Sequence, residues 1–272
     1  MGKNDIKNVV SIAGVDPSGG AGLLADIKSL SAAGVYGAGV VTALTAQNTR
    51  AVTGVFPIPG TFIREQIDTL FSDVRIDAVK IGMLADSQVI RAVAERLRFW
   101  KPQWIVLDPV MVAKSGDALL APEAVRALIE ELLPIASVLT PNLPEAGVLL
   151  SRTVTQIDQM EQAARDLFEL SGRHCAVLLK GGHLSGTVCR DVLFDGKDVT
   201  ERISPRLNTK NTHGTGCAMS SFLAACLART GNLKEAFALT QDWMTRAIAS
   251  SDELDCGKGH GPIHHFVNLW KH

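Results

Sequence analysis

The chain has 272 residues, 46% of them hydrophobic, and its 27 basic and 28 acidic residues give a net charge of −1 at pH 7. This length suits one large α/β domain, predicted here over residues 1–272 with a flexible tail at residues 1–8. The absence of a basic stripe argues against a nucleic-acid partner, and the absence of a long apolar run argues against a membrane span. The five cysteines are scattered and the N-terminus lacks the apolar core of a signal peptide, so we expect a reduced, cytoplasmic protein.

Short β-branched runs alternate with longer helical patterns along the chain. Buried strands are predicted at Val9–Ala13, Val40–Leu44, Val79–Ile81, Ile105–Leu107, Val138–Leu139 and Val177–Leu179. Helices are predicted at Leu23–Ala33, Phe62–Phe71, Val89–Arg98, Ala124–Leu133, Met160–Leu170 and Leu233–Ala249, with a hairpin over Val188–Phe194 and Glu201–Leu207. This alternation predicts a mostly parallel central sheet with helices on both faces.

Polar residues follow the end of each predicted strand. In chain order they are Asp16, Gln47, Gly82 with Met83, Asp108, Asn142 with Glu145, and Lys180. Open α/β sheets bind ligands at the carboxyl ends of their strands, so these side chains are expected to share one edge. Two carboxylates, a lysine and amides suit phosphoryl transfer, which usually needs Mg²⁺.

A glycine-rich turn, Asn211–Cys217, leads directly into an apolar pattern. The pattern predicts an amphipathic helix whose buried face is Met219, Phe222, Leu223, Cys226 and Leu227. Unpaired N–H groups at a helix N-terminus bind anions, and Gly214 and Gly216 permit close approach of a phosphate. Cys217 lies on the first turn, where we expect its thiol pKa to be lowered. The alternative to an anion-binding site is a purely structural interpretation, in which a glycine turn is followed by a cysteine that only packs in the core.

Other nucleotide-binding motifs are missing. There is no GxxxxGK[ST], so the chain is not a P-loop NTPase by motif, and no GxGxxG follows the first strand. The second absence weakens the interpretation as an NAD-dependent dehydrogenase.

A series of short motifs carries a resemblance to a known family. They are Ala13–Gly22, Thr45–Thr49, Lys80–Leu84, Asp108–Met111, Lys114–Gly116, Thr140–Glu145, Lys180–His183, Asn211–Cys217 and Gly257–Gly259. By these motifs the chain resembles the hydroxymethylpyrimidine/phosphomethylpyrimidine kinases of thiamine biosynthesis, in the ribokinase-like superfamily. The resemblance runs from about Ser11 to Trp270. The chain departs from the family pattern at Val15 and Ala218–Met219, where relatives often carry other residues. None of these positions is a polar site residue.

The resemblance implies a ribokinase-like three-layer sandwich and an enzyme that depends on ATP and Mg²⁺. Such an enzyme phosphorylates 4-amino-5-hydroxymethyl-2-methylpyrimidine and then converts the monophosphate to the diphosphate. The resemblance also implies a homodimer.

The resemblance assigns the catalytic roles to the glycine-rich turn and to Lys180. Gly214, Thr215 and Gly216 would form an anion hole for the transferring phosphoryl group. Cys217 takes the position of the base aspartate of ribokinase-like enzymes and would accept the substrate hydroxyl proton. Lys180 would neutralise nucleotide phosphates, although a lone lysine at a strand end is otherwise a solvated residue.

The substrate side would be formed by residues that follow the first strands. The Gln47 amide can donate to and accept from an aminopyrimidine edge, with a strand-end cap as the alternative. Asp16 either accepts from the substrate or caps its own turn. Gly14, Met83 and Val110 are assigned to the same side by resemblance.

The metal and nucleotide side would be formed by the later strands. Asp108 and Glu145 are predicted to hold Mg²⁺, with Asn142 ordering the metal shell and a helix-start acid as the alternative for Glu145. Asn208 and Thr212 are further nucleotide candidates. Residues Val110–Asp117, with Lys114, Ser115 and Gly116, are interpreted as a flap that excludes water, or as an ordinary surface loop.

Two other functions stay open. A pyridoxal or pyridoxine kinase of the same superfamily is the nearest alternative, because pocket selectivity is built from several contacts. A pyrimidine-binding protein without catalysis is the other, although the anion-hole glycines and the metal carboxylates are all present. No role is assigned to Asp26, Met111 or His213.

Overall fold

The structure is a computed structural model that describes residues 5–111, 121–182, 184 and 186–270. The strands are β1 (Asn8–Val15), β2 (Tyr36–Gln47), β3 (Val52–Pro57), β4 (Ala78–Ile81), β5 (Trp104–Leu107), β6 (Val138–Leu139), β7 (Ala176–Leu179), β8 (Val188–Phe194) and β9 (Val199–Pro205). The helices are α1 (Gly22–Ala32), α2 (Gly60–Asp73), α3 (Ser87–Trp100), α4 (Pro122–Ala127), α5 (Leu143–Leu149), α6 (Met160–Leu170), α7 (Thr215–Thr230) and α8 (Leu233–Ala249). Asn8, the last residue of the predicted tail, begins β1.

The strands form one nine-stranded sheet in the order β3-β2-β1-β4-β5-β6-β7-β8-β9. The strands from β2 through β7 in this order pair in parallel, while β3, β8 and β9 pair antiparallel at the two edges. The prediction of a mostly parallel sheet is therefore confirmed. The sequence analysis missed β3, whose residues are mostly exposed and lack the buried apolar run of the central strands.

Helices cover both faces of the sheet, in agreement with the predicted three layers. On one face, Val93 of α3 and Leu167 of α6 belong to a core with Val79 of β4. On the other face, Leu30 of α1 and Leu223 of α7 belong to a second core with β-strand side chains such as Val106. Parallel strands buried on both faces read as continuous apolar runs, which explains why the central strands were predictable.

Two predicted helices differ from the structure. Residues 218–227 of α7 are all buried, so the predicted amphipathic character is wrong, because α1 and α8 cover the face that was expected to meet water. The helix predicted over Ala124–Leu133 ends as α4 at Ala127 and continues as a π turn over Leu128–Leu132 and a 3₁₀ turn over Leu133–Ile135. Pro134 lacks an N–H and its ring clashes with the carbonyl four residues earlier, which prevents a regular α-helix there.

A fully buried ion pair joins two central strands of the sheet, β1 and β4, to the helices α1 and α7. Lys80 Nζ of β4 lies 2.7 Å from Asp26 Oδ2 of α1, and both side chains are 0% exposed. Ser11 of β1 and Ser221 of α7 donate to the same carboxylate at 2.6 and 2.8 Å. Burial lowers the pKa of Lys80, but the nearby acidic groups, Asp26 first among them and Asp108 as well, together outweigh burial and raise it. Lys80 therefore stays protonated, and its contact with Asp26 holds α7 against the sheet.

Replacing Lys80 by Met should destabilise the fold strongly. The variant keeps the side-chain volume but leaves the Asp26 carboxylate buried without a cation, a change that typically costs about 3–5 kcal/mol. Equilibrium urea unfolding measures this cost. Arg64→Met is the matched control, because its partner Glu95 is exposed and such pairs contribute about 0–1 kcal/mol. Equal losses in the two variants would contradict the structural role of Lys80.

Candidate active site

The first turn of α7 lies directly on an ion pair formed at the strand ends. Lys180, which follows β7, places its Nζ 2.9 Å from Oδ1 of Asp108, which follows β5. Thr140 Oγ1 lies 3.2 Å from the same oxygen, and Ser220 Oγ of α7 lies 3.3 Å from Oδ2. A Cβ on Gly216 would lie 3.3 Å from Lys180 Nζ. The glycine therefore leaves room above the pair that a side chain would fill.

Both partners of this pair are buried and charged. Burial lowers the pKa of Lys180, but the carboxylates of Asp108 and Glu145 outweigh it and raise the pKa. Burial raises the pKa of Asp108, but Lys180 and Lys80 outweigh it and hold the pKa below its usual value. Lys180 is 9% exposed, so the alternative of a solvated lysine does not hold.

Glu145 combines a helix cap with a place beside the ion pair. Asn142 Oδ1 accepts from the Glu145 N–H at 2.8 Å, and Glu145 Oε2 accepts from the Asn142 N–H at 2.8 Å, which makes a capping box at the start of α5. Burial raises the pKa of Glu145 to about 7, opposed by Lys180 and reinforced by Asp108. The helix-start role is therefore present, and the carboxylate also interacts with both members of the pair.

The turn before α7 is built on a close backbone approach. Gly214 has φ +72°, and a Cβ there would overlap with the carbonyl oxygen of Gly20. Thr215 uses its hydroxyl to bond the Thr212 carbonyl at 2.7 Å. The N–H groups of Gly216 and Cys217 occupy the second and third positions of the helix, where no helical acceptor exists. These two N–H groups can receive an anion beside Lys180.

The expectation of a lowered pKa for Cys217 is wrong. Part of the residue still reaches solvent, but the protein packed around its thiol raises the pKa to about 11. Lys80 lowers this pKa, whereas Asp26 and Asp108 raise it. Because each lysine is already balanced by a carboxylate, the helix N-terminus does not produce a thiolate here. The thiol is neutral at physiological pH.

Asp16 lies in a hydrogen-bonded turn next to His213. Its carboxylate accepts from the N–H of Ser18 at 2.9 Å and of Ala21 at 3.0 Å, so it caps its own turn. His213 Nε2 lies 2.7 Å from Asp16 Oδ2 and 3.4 Å from the amide nitrogen of Gln47. The turn-cap interpretation of Asp16 therefore holds, and His213 joins Asp16 to Gln47.

The structure brings Gly14 and Met83 together near the end of β1. A Cβ on Gly14 would overlap with the Met83 methyl group, and Thr42 donates to the Met83 carbonyl at 2.8 Å. Val110 is half-buried, and its N–H bonds the Asp108 carbonyl at 2.9 Å. Residues 112–117 of the predicted flap lie outside the described residues, as does His183.

A polar groove of about 380 Å³ opens beside the glycine-rich turn. It is lined by Asn208, Thr209, Lys210, Asn211, Asp252, Leu254, Asp255, Cys256 and Gly257. Asn211 fixes the groove wall, since its amide donates to Asp252 at 2.7 Å and accepts from the Gly261 N–H at 3.1 Å. Of the two nucleotide candidates, Asn208 lines this groove, whereas Thr212, the residue after Asn211, is not among the lining residues.

The sequence analysis gave no role to three residues that organise the site. Lys80 and Asp26 form the buried pair near Cys217, and His213 links Asp16 to Gln47. A lysine inside the apolar run of β4 was an available signal, because a buried lysine needs an acidic partner. His213 carried no comparable signal, since a single histidine in a turn is usually exposed.

The chain is similar to known proteins over most of its length. A sequence model described as phosphomethylpyrimidine kinase matches residues 16–264. The hydroxymethylpyrimidine/phosphomethylpyrimidine kinase of Escherichia coli is 49% identical over 265 residues, covering 97% of this chain and 98% of that protein. A thiamine biosynthesis bifunctional protein of Geobacter sulfurreducens is 45% identical over 260 residues, covering 96% of this chain and 52% of that protein.

A solved structure shares the whole fold. An ADP complex of Bacillus subtilis pyridoxal kinase has a TM-score of 0.89 and 34% identity, covering 97% of this chain and 100% of that one. The fold is thus that of the ribokinase-like kinases. Among the described residues, no helix is long and apolar enough to span a membrane. The chain belongs to the phosphomethylpyrimidine kinase family and is a phosphotransferase.

Proposed function

We propose that the chain transfers the γ-phosphoryl group of ATP to the hydroxymethyl group of 4-amino-5-hydroxymethyl-2-methylpyrimidine, and then to the resulting monophosphate, in thiamine biosynthesis. The observation that carries the proposal is the Lys180–Asp108 pair beneath the first turn of α7, with glycine at position 216. Free helix N–H groups and a buried lysine stabilise the charge that phosphoryl transfer spreads over the oxygens. The names of the relatives support the pyrimidine as substrate.

The polar groove beside the glycine-rich turn is the proposed nucleotide site. It lies next to the α7 N-terminus, so a nucleotide held there can direct its phosphates toward Gly216 and Lys180. The ADP bound to the Bacillus subtilis pyridoxal kinase supports ATP as the donor. Asn208 and Thr212 remain predicted nucleotide contacts.

Asp108 and Glu145 fit a magnesium ion that is held mainly by the nucleotide. Within the described ranges no three His, Cys, Asp or Glu side chains are arranged to hold a metal by themselves. Mg²⁺ prefers oxygen ligands and commonly uses one or two carboxylates together with phosphates and water. The two carboxylates would supply the protein ligands, with Asn142 orienting Glu145. The ion would neutralise charge on the phosphates.

Cys217 is proposed to receive the substrate hydroxyl proton. Its neutral thiol must first lose its own proton to solvent, which part of the residue reaches, so the bound substrates have to change the charge balance around it and favour the thiolate. Lys80 is the cation that lowers the Cys217 pKa, and Asp26 and Asp108 oppose it. Engagement of Asp108 with a cation would weaken that opposition and favour the thiolate.

Phosphorylation of pyridoxal is the second candidate, favoured by the close structural match to a pyridoxal kinase. The test is ATP consumption with Mg²⁺ in the presence of the pyrimidine, its monophosphate, pyridoxal or ribose. The proposal expects turnover with both pyrimidines and a lower kcat/KM with pyridoxal. A higher kcat/KM with pyridoxal would replace the proposal by the second candidate.

Substituting Cys217 by Ala tests the proton-transfer role. Turnover with the pyrimidine should fall by about two to four orders of magnitude, because general base catalysis contributes on that scale. Nucleotide affinity should change little. Cys226→Ala, which lies later in the same helix and is buried away from the ion pairs, controls for loss of a thiol from α7. Near-normal turnover of the Cys217 variant would remove this residue from the mechanism.

Substituting Glu145 by Gln tests the metal role. The amide keeps an oxygen for the Asn142 N–H but loses the charge that Mg²⁺ prefers. The Mg²⁺ concentration for half-maximal rate should rise at least about tenfold, with a fall in turnover.

Glu235→Gln is the matched control for this substitution. Glu235 is exposed and occupies the third position of α8 after its capping residue Asn232, so it carries the same change at an equivalent helix position. Thermal unfolding checks that both variants fold. An unchanged Mg²⁺ requirement in the Glu145 variant would leave Glu145 with its helix-capping role alone.

Two further expectations stay predictions. The cytoplasmic location rests on the sequence, and the five cysteines are free in the structure. The homodimer rests on the family resemblance. Exposed apolar side chains on β2 and β3, among them Leu44, Val55 and Phe56, are the surface that a second copy would cover.

A further inference from the structure

His213 contacts two side chains of the substrate side through a single nitrogen atom. Its Nε2 lies 2.7 Å from Asp16 Oδ2 and 3.4 Å from the Gln47 amide nitrogen. Burial raises the pKa of Asp16, but hydrogen bonds from His213 and Ser18 outweigh it and lower the pKa. An ionised carboxylate only accepts hydrogen bonds, so His213 Nε2 must carry the hydrogen and donate it.

A hydrogen on His213 Nε2 conflicts with the position of the Gln47 amide nitrogen, which is the second neighbour of this atom. The Gln47 NH₂ group donates and does not accept, so two donors would face each other. The amide has the same shape after a rotation of 180°, and the hydrogen-bonding pattern decides between the two orientations. In the rotated orientation Gln47 Oε1 lies beside this N–H, whose hydrogen Asp16 takes, so an acceptor rather than a second donor faces His213 and the conflict disappears.

Thr45 independently indicates the same orientation at the other end of the amide. Thr45 Oγ1 lies 2.9 Å from the Val15 carbonyl oxygen, which can only accept, and so takes the single hydroxyl hydrogen. Toward Gln47, at 3.2 Å, Thr45 can then only accept. The rotated amide offers an N–H at this position, whereas the other orientation would place two acceptors together.

We propose that His213 and Thr45 fix the orientation of the Gln47 amide and thereby select a ring that carries an amino group beside a ring nitrogen. In this orientation Oε1 keeps one lone pair for the amino group, and Nε2 keeps one hydrogen for the ring nitrogen. A ring with an oxo group beside a ring N–H presents its acceptor and donor in the opposite order. Both groups of the Gln47 amide would then be left unpaired. The inference rests on the proposed function, because it states how the pocket chooses its pyrimidine.

The test compares two rings that differ only in the order of their hydrogen-bond donor and acceptor. Calorimetry without ATP measures the affinities for 4-amino-5-hydroxymethyl-2-methylpyrimidine and for its 4-oxo analogue. The wild type should bind the amino ring at least about 100-fold more tightly, since sites that hydrogen-bond a polar group reject a mismatched one strongly. In His213→Leu and in Thr45→Val this preference should fall at least about tenfold, because the amide can then rotate.

Conservative variants separate positioning from general packing. His213→Gln retains an N–H that can reach Asp16 and Gln47, and Thr45→Ser retains the hydroxyl, so both should keep the preference within about threefold. For the amino ring, the Leu and Val variants should raise KM more than they lower kcat. Circular dichroism confirms that each variant is folded.

The outcomes that overturn the inference are distinct from failure of the proposed function. Equal affinity of the wild type for the two rings overturns it, and so does an unchanged preference in both folded His213→Leu and Thr45→Val. Phosphorylation of neither ring by the wild type would contradict the proposed function instead, while the binding preference would still decide the role of His213.

Discussion

The ion pair between Lys180 and Asp108 is the interaction on which the rest of the site depends. The two residues come from the ends of β7 and β5, and the first turn of α7 lies on them. A buried lysine without its carboxylate would be costly, so the pair fixes both strand ends before any substrate binds. Because the two charges nearly cancel, the contacts proposed for an arriving phosphate are the N–H groups of Gly216 and Cys217, with Lys180 beside them.

The second buried pair, Asp26–Lys80, likewise fixes the relative position of the elements that form the site. It joins α1, β1, β4 and α7, and it sets the position of the helix that carries Cys217. Cys217 lies between the two pairs and interacts with members of both, which explains its neutral thiol. In the proposed mechanism, therefore, the Cys217 thiolate forms only after the substrates have bound.

The sequence predicted the features that local chemistry determines. Buried parallel strands require continuous apolar runs, so β1, β4, β5 and β7 were found, and the polar residues beyond them share one edge as expected. It could not predict features that arise from tertiary packing. The mostly exposed β3 has no distinctive pattern, and α7 is buried all round because α1 and α8 cover it.

The sequence analysis was wrong about the Cys217 pKa and missed His213, and both errors also arise from tertiary packing. A helix N-terminus alone predicts a low thiol pKa, but burial and the two nearby carboxylates decide the pKa of Cys217. The contact of His213 with Asp16 joins residues 197 positions apart, and no local pattern reports it. By contrast, the helix-start alternative for Glu145 was readable from the sequence, and the capping box that Glu145 forms with Asn142 at the start of α5 confirms it.

The most direct test of the central claim is a crystal structure with the pyrimidine and a non-hydrolysable ATP analogue. The account predicts γ-phosphate oxygens within about 3 Å of the N–H groups of Gly216 and Cys217 and of Lys180 Nζ. It also predicts the substrate hydroxyl next to the Cys217 thiol. A γ-phosphate held away from the first turn of α7, with the Lys180–Asp108 pair untouched, would contradict the account.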